Sequence, residues 1–357
     1  MALGPVGTLA GLYGYGKLLS WFGGAKALVI STLTAGCGIL VCYIGIVNGI
    51  DLAVGALYVL RESYIVILIE QYWSFINSTL NGDQARRLNG PICGIASVGA
   101  IAGGLTVGQL SGVLGTNALL LFAAASLVPA AALSLAGYRI GGVPRGERMG
   151  GTGSTHGTLA LSEFKTSPVL RYLALLILLT QLMSTVLDLR FNSLVEASGL
   201  ATDDMTAFYG NFYAGLNVAA FVLQFLAAPV ILKLFSLRSV HLGIPGIHLL
   251  TCVLLLIHPM LATGAAAYLI FKAVDYSVFR ASKEVLYLPL SYDARYRTKE
   301  VIDAFGYRAS KGITSGALAV ATSVFGSIPG QVFPIMGLGA AGLWAVVARR
   351  LVDSGRE

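Results

Sequence analysis

Long apolar runs separated by short polar joints dominate the chain. A helix crosses the hydrocarbon core of a bilayer with about 20 mostly apolar residues. Runs of that kind lie at 2–19, 26–48, 52–75, 91–112, 117–137, 169–191, 206–232, 240–257, 260–279, 304–325 and 328–347. The first is short and glycine-rich, and most of the joints carry Gly, Pro or Asn, as turns do. The pattern predicts an all-α polytopic membrane protein with about 11 transmembrane helices.

Composition agrees with this pattern. Of 357 residues 56% are apolar and 11% charged, against about 25% charged in a soluble domain. Mean hydropathy is +0.77. A soluble fold of this length has too little interior to hide so much apolar surface. An ordinary soluble enzyme, a disordered chain and a disulfide scaffold are excluded. The four cysteines, Cys37, Cys42, Cys93 and Cys252, sit singly in apolar runs and read as small hydrophobes.

The net charge of +7 is explained by where the basic residues fall. Alternate joints hold Lys17 and Lys26, Arg86 and Arg87, Arg139 to Lys165, Lys233 and Arg238, and Arg295 to Lys299, and the tail holds Arg349, Arg350 and Arg356. The opposite joints hold almost none, Arg190 being the exception. Loops rich in Lys and Arg stay in the cytoplasm, so the C-terminus is expected inside and Met1 outside. No positively charged leader precedes the first run.

The longest joint, 139–165, contains GGVPRGERMGGTGSTHGT and reads as a flexible cytoplasmic linker. It separates an N-terminal helical half (1–138) from a C-terminal half (166–357), with five runs before it and six after. Two six-helix halves joined by such a linker is a major-facilitator-like plan. On that plan the first span of the first half is wanting, and the runs are spans two to twelve.

Charge inside a span is costly and marks function. Span four carries Arg61, Glu62 and Glu70, and the two glutamates, eight apart, lie on broadly one side. Span seven carries Asp188 and Arg190, span ten Lys272 and Asp275, and span eleven Arg308 and Lys311. In the major-facilitator plan spans one, four, seven and ten line a central cavity, so these charges are expected to face one water-filled path. The competing expectation is ion pairs that only fix helix packing. Arg280 and Lys283 lie where basic side chains snorkel to headgroups. The small-xxx-small spacings of Gly99, Gly103, Gly104, Gly108 and Gly112 predict close approach of another helix.

Several motifs carry no chemistry. Gly11 to Lys17 imitates a phosphate loop, but Leu18 follows and no strand precedes it. His156, His241, His248 and His258 do not cluster with carboxylates. No catalytic residue, metal site or cofactor is expected, and no nucleic acid partner.

Two stretches resemble the nucleotide transporter family of ATP/ADP antiporters found in plastids and obligate intracellular bacteria. FRASKEVLYLPLSYDARYRTKEVIDAFGYRASKGITSGAL, from Phe279, is similar to the family signature at Lys283, Glu284, Tyr287, Pro289, Leu290, Lys299, Asp303, Arg308 and Lys311. EQYWSFINSTLNGDQARRLNGPICGIASVGAIAGG, from Glu70, is similar to its Glu-x-x-Trp segment, Ala-x-Arg loop and glycine-rich helix. The resemblance implies a nucleotide site of buried Lys and Glu in cavity helices, with Glu70, Asp188 and Lys311 at family positions. A family Lys after the span-seven acid is Asn192 here, and the family's first span is absent. A bacterial cytoplasmic membrane is the implied location.

These readings combine into an expected function: a secondary transporter of nucleotides or a related anionic solute, by ATP/ADP antiporter-like exchange. Arg61, Lys272 and Lys311 would bind phosphate, and Glu62, Glu70, Asp188 and Asp275 would pair those cations or carry a proton. The expected partners are that solute and the bilayer. Two alternatives stay open: a major-facilitator transporter of another organic solute, and a truncated membrane protein that does not transport.

Overall fold

A computed structural model describes residues 4–79, 82–141, 167–287, 302 and 307–354. The elements among them are helical, with no strand. In chain order they are α1 (Gly4–Val47), α2 (Asp51–Thr79), α3 (Gly82–Leu114), α4 (Thr116–Gly141), α5 (Pro168–Glu196) and α6 (Thr202–Val222). After α6 come α7 (Ala228–Leu234), α8 (Leu237–Ile257), α9 (Leu261–Val274), α10 (Arg280–Tyr287), α11 (Tyr307–Phe325) and α12 (Val332–Ser354). The linker expected at 139–165 lies, beyond Gly141, outside the described residues, as do Pro289, Leu290, Lys299 and Asp303.

Eight of the described segments are long and apolar enough to cross a membrane. The difference from eleven has physical causes. The first two expected spans join in α1, which bends at Gly23, where φ is 72° and ψ 168°. Only glycine adopts that backbone without strain. The segment that imitated a phosphate loop is helical within α1. The run expected at 260–279 is broken by a π-helical turn, Asp275–Phe279, and continues into the strongly polar α10. A second π turn, Leu223–Ala227, precedes Pro229 at the start of α7. Proline lacks the N–H that would continue the α-helical ladder, and a wider turn accommodates it.

The chain divides into two compact units. Among the described residues, the first holds α1 to α4 and Thr202–Asn211 at the start of α6. Its core is made of Ala35 and Ile39 of α1 against Ala124 and Leu127 of α4, flanked by Leu57, Leu60 and Tyr64 of α2. The side chains there are small, and the helices lie close. A Cβ on Gly38 would come within 2.8 Å of Leu60, and one on Gly45 within 2.7 Å of Ala53.

The start of α6 is clasped to α3 in the same way. A Cβ on Gly210 would strike the Gly108 backbone nitrogen and lie 2.8 Å from the Gly104 carbonyl. Gly104 and Gly108 thus receive another helix, as their spacing predicts. Gly99, Gly103 and Gly112 of the same stripe face open space. At the α3–α4 joint, Asp203 Oδ1 accepts hydrogen bonds from the Thr116 backbone N–H and hydroxyl, both at 2.7 Å.

The second unit holds α5, α6 from Phe212 onward, and α7 to α12. It is built around α5. Ser167 caps that helix, accepting from the Leu170 N–H, and Pro168 occupies its first turn. Leu173, Leu176, Ile177, Met183, Val186, Leu187, Phe191 and Val195 are buried along it. Burial here runs around the helix rather than along one stripe, because α9, α11 and α12 all pack on it. Beside it, fully buried Trp344 of α12 meets His248 of α8 at 5.5 Å and Phe279 at 5.2 Å between ring centroids.

Candidate functional site

The charges of the second unit converge on the end of α9 and the π turn after it. Lys272 ends α9 and Asp275 begins the turn. Their spacing of three puts both side chains on one side of the helix. Asp275 is buried, with 5% of its surface exposed, and its Oδ1 has no hydrogen-bond partner. The charges of Lys272, Lys283 and Arg280 act on it. An ionised carboxylate in such a place is held by neighbouring cations rather than by water.

Lys272 is wrapped by aromatic rings. Its Nζ lies 5.2 Å from the Tyr276 ring centroid, 5.9 Å from Tyr268 and 5.9 Å from Phe271. Ring faces attract a cation at these separations. Asp188 of α5 completes the group. It is half-buried, accepts a hydrogen bond from Asn192 Nδ2 at 3.3 Å, and its charge reaches both Lys272 and Tyr268. Tyr268 bonds in turn with Tyr213 of α6. Phe191, Phe212 and Tyr268 stack beneath the group, with centroids 4.5 to 6.0 Å apart. The group thus brings one lysine, two carboxylates and several aromatic rings together within the second unit.

The remaining expected site residues fall elsewhere. Arg61 and Glu62 of α2, in the first unit, pair with each other at 3.4 Å, and the Arg61 side chain is 61% exposed. Glu70 lies in α2, but its side chain, like that of Arg308, is outside the described residues. Lys311 is half-buried on α11.

Sequence reasoning missed other members of the group. Lys283, expected to snorkel, is instead buried with 4% exposed, within reach of Asp275. Arg280 is exposed. The π turn explains the difference, since an added residue per turn rotates the following helix relative to a regular one. Tyr268 and Tyr276 could have been found from their spacing of four on either side of Lys272. Among the cysteines, Cys42 and Cys252 are buried as expected, Cys37 is exposed, and Cys93 is outside the described side chains. Among the described residues no three of His, Cys, Asp and Glu gather as a metal site.

Comparison with known proteins places this group in context. The TLC ATP/ADP transporter family profile matches residues 246–353, which include Lys272, Asp275, Lys283 and Lys311. The chain is 25% identical to ADP,ATP carrier protein 2, chloroplastic, of Arabidopsis thaliana, across 82% of this chain and 53% of that protein. It is likewise 25% identical to ADP,ATP carrier protein 1, chloroplastic, of the same plant, across 69% of this chain and 45% of the carrier. The chain therefore spans about half the length of the curated relatives it matches. In fold it resembles the crystal structure of a bacterial homologue of the iron transporter ferroportin in an inward-facing state. The TM-score is 0.69 at 15% identity, covering 100% of this chain and 88% of that one. The chain is a multi-pass membrane protein of major-facilitator-like helical fold, similar over residues 246–353 to the TLC ATP/ADP transporter family.

Proposed function

We propose that this protein is a secondary transporter that exchanges nucleotides or a related anionic solute across the membrane. The observation that carries the reading is the convergence of Lys272, Asp188 and Asp275 with Tyr268 and Tyr276, all but Asp188 within the region similar to the ATP/ADP transporter family. Lys272 offers a point charge to a phosphate, and the tyrosine rings offer faces on which a base can stack. With no solute bound, Asp188 and Asp275 balance Lys272. When a phosphate arrives it competes for that cation, and the carboxylates release it or take up a proton.

Arg61, Glu62, Glu70 and Lys311 belong to this reading as further residues along the solute path. The driving force is exchange or an ion gradient. The C-terminus lies in the cytoplasm of a bacterial inner membrane, and a cysteine placed at Ser154 is labelled from the cytoplasmic side only.

The test is uptake of labelled ATP and ADP into vesicles holding the purified chain, with and without internal nucleotide. Trans-stimulated uptake supports exchange. Uptake of neither nucleotide, by a chain that is folded and inserted, overturns it. A second reading is transport of an organic solute with less negative charge. Asn192 favours it, since its amide occupies Asp188 at the place where the resembling family carries a Lys. Competition by such a solute with no competition by nucleotides decides for this alternative.

A further inference from the structure

A second binding place lies away from the charged group. In the second unit α11 and α12 both pack on α5 but make few contacts with each other. The gap between them is a groove of about 580 Å³, within the usual range of ligand pockets. Leu182 of α5 lines it, as do Met336 of α12 and Ile313, Ala317, Ala321 and Phe325 of α11. The α11 residues recur every four positions, so one face of that helix supplies the wall. From Ile313 to Phe325 the wall runs about 18 Å at 1.5 Å per residue. One leaflet of the hydrocarbon core is about 15 Å deep.

One end of the groove is formed by the joint from Ser327 to Pro329. Beside that joint sits Arg190, the basic residue that broke the alternation of charge along the sequence. Its guanidinium lies against the Gly330 backbone so closely that a Cβ there would collide with Nη1. Arg190 is half-buried, its Nε has no hydrogen-bond partner, and it pairs with no carboxylate among the described residues. A cation that pairs with no carboxylate among the described residues thus sits beside one end of an apolar trough about as long as one leaflet is deep.

We infer that this groove binds one anionic glycerophospholipid, its acyl chain along α11 and its phosphate on the Arg190 guanidinium. Charge complementarity selects the lipid: an unpaired cation favours a headgroup of net negative charge over a zwitterion that brings its own ammonium. Arginine also matches the two oxygens of a phosphodiester in a bidentate manner. The inference rests on the membrane fold and is independent of which solute is carried.

The experiment is native mass spectrometry of the full chain titrated with phosphatidylglycerol or phosphatidylcholine, with melting temperature followed in parallel. The wild type is expected to hold one phosphatidylglycerol at about tenfold lower lipid concentration than phosphatidylcholine. Arg190→Gln should erase that preference while leaving the weaker, chain-driven binding. Arg190→Lys should keep part of the preference and show that the variant site is intact. Ala321→Phe, which fills the groove, should abolish both adducts. Equal retention of the two lipids by the wild type overturns the inference. So does an unchanged preference in Arg190→Gln, or unchanged adducts in Ala321→Phe. A dimer that Ala321→Phe converts to monomer assigns the groove to a second copy and overturns it as well.

Discussion

The two units keep charge in opposite ways. In the first, exposed Arg61 pairs with half-buried Glu62, and close helix contact depends on missing side chains at Gly38, Gly45, Gly108 and Gly210. In the second, Asp275 and Lys283 are withdrawn from solvent, half-buried Lys272 lies beside aromatic rings, and a carboxylate oxygen is left without a hydrogen bond. Among its described residues the first unit buries no charged side chain. Retaining such charge in the second costs stability, a cost the proposed solute site accounts for.

Substitutions can break this contrast. The largest effect is expected at Asp275. Asp275→Ala removes the buried carboxylate whose charge acts with Lys272 and Lys283, and leaving buried cations without it is expected to cost up to about 3–5 kcal/mol. Chemical unfolding in detergent should register it, and saturating nucleotide should narrow the gap to wild type, because a bound phosphate takes the place of the lost anion. Next comes Gly210→Val. The added side chain meets backbone of α3, which cannot swing aside as a side chain can, and overpacking of this kind costs about 1–3 kcal/mol. Gly103→Ala, on the same stripe but facing open space, should stay within about 0.5 kcal/mol of wild type. Smallest is Glu62→Ala. It removes the half-buried partner of exposed Arg61, a pair worth about 0–1 kcal/mol. A Glu62→Ala loss as large as that of Asp275→Ala would erase the distinction between the units.

Most helices were legible because the bilayer demands a run of fixed length and composition. Bends and breaks were harder to read. Gly23 is one glycine among many in its stretch, and nothing local marks it as the one with positive φ. The π turn at Asp275 reflects tertiary packing, and with it went the placement of Lys283. The charged positions of α5 and α9 announced themselves by the cost of burying them. Arg61 and Glu62 announced themselves equally, although their neutralising contact is local. Hydropathy records that a charge lies in a span, and it does not record which way the charge points. Arg190 was visible as an anomaly of charge sidedness, but its meaning needed the groove beside it.

The central claim is that Lys272, held by Asp188, Asp275 and the tyrosines, receives an anionic nucleotide. Binding of ADP to purified wild type, Lys272→Ala and Arg61→Ala, followed by thermal shift, tests it most directly. Losing a charged partner in a buried site costs about 2–5 kcal/mol, which is roughly 30- to 5,000-fold in affinity. The account predicts saturable stabilisation of wild type, a loss of that size in Lys272→Ala, and a smaller one in Arg61→Ala. Wild-type affinity in a folded Lys272→Ala protein, or no stabilisation of wild type by millimolar ADP, would contradict it.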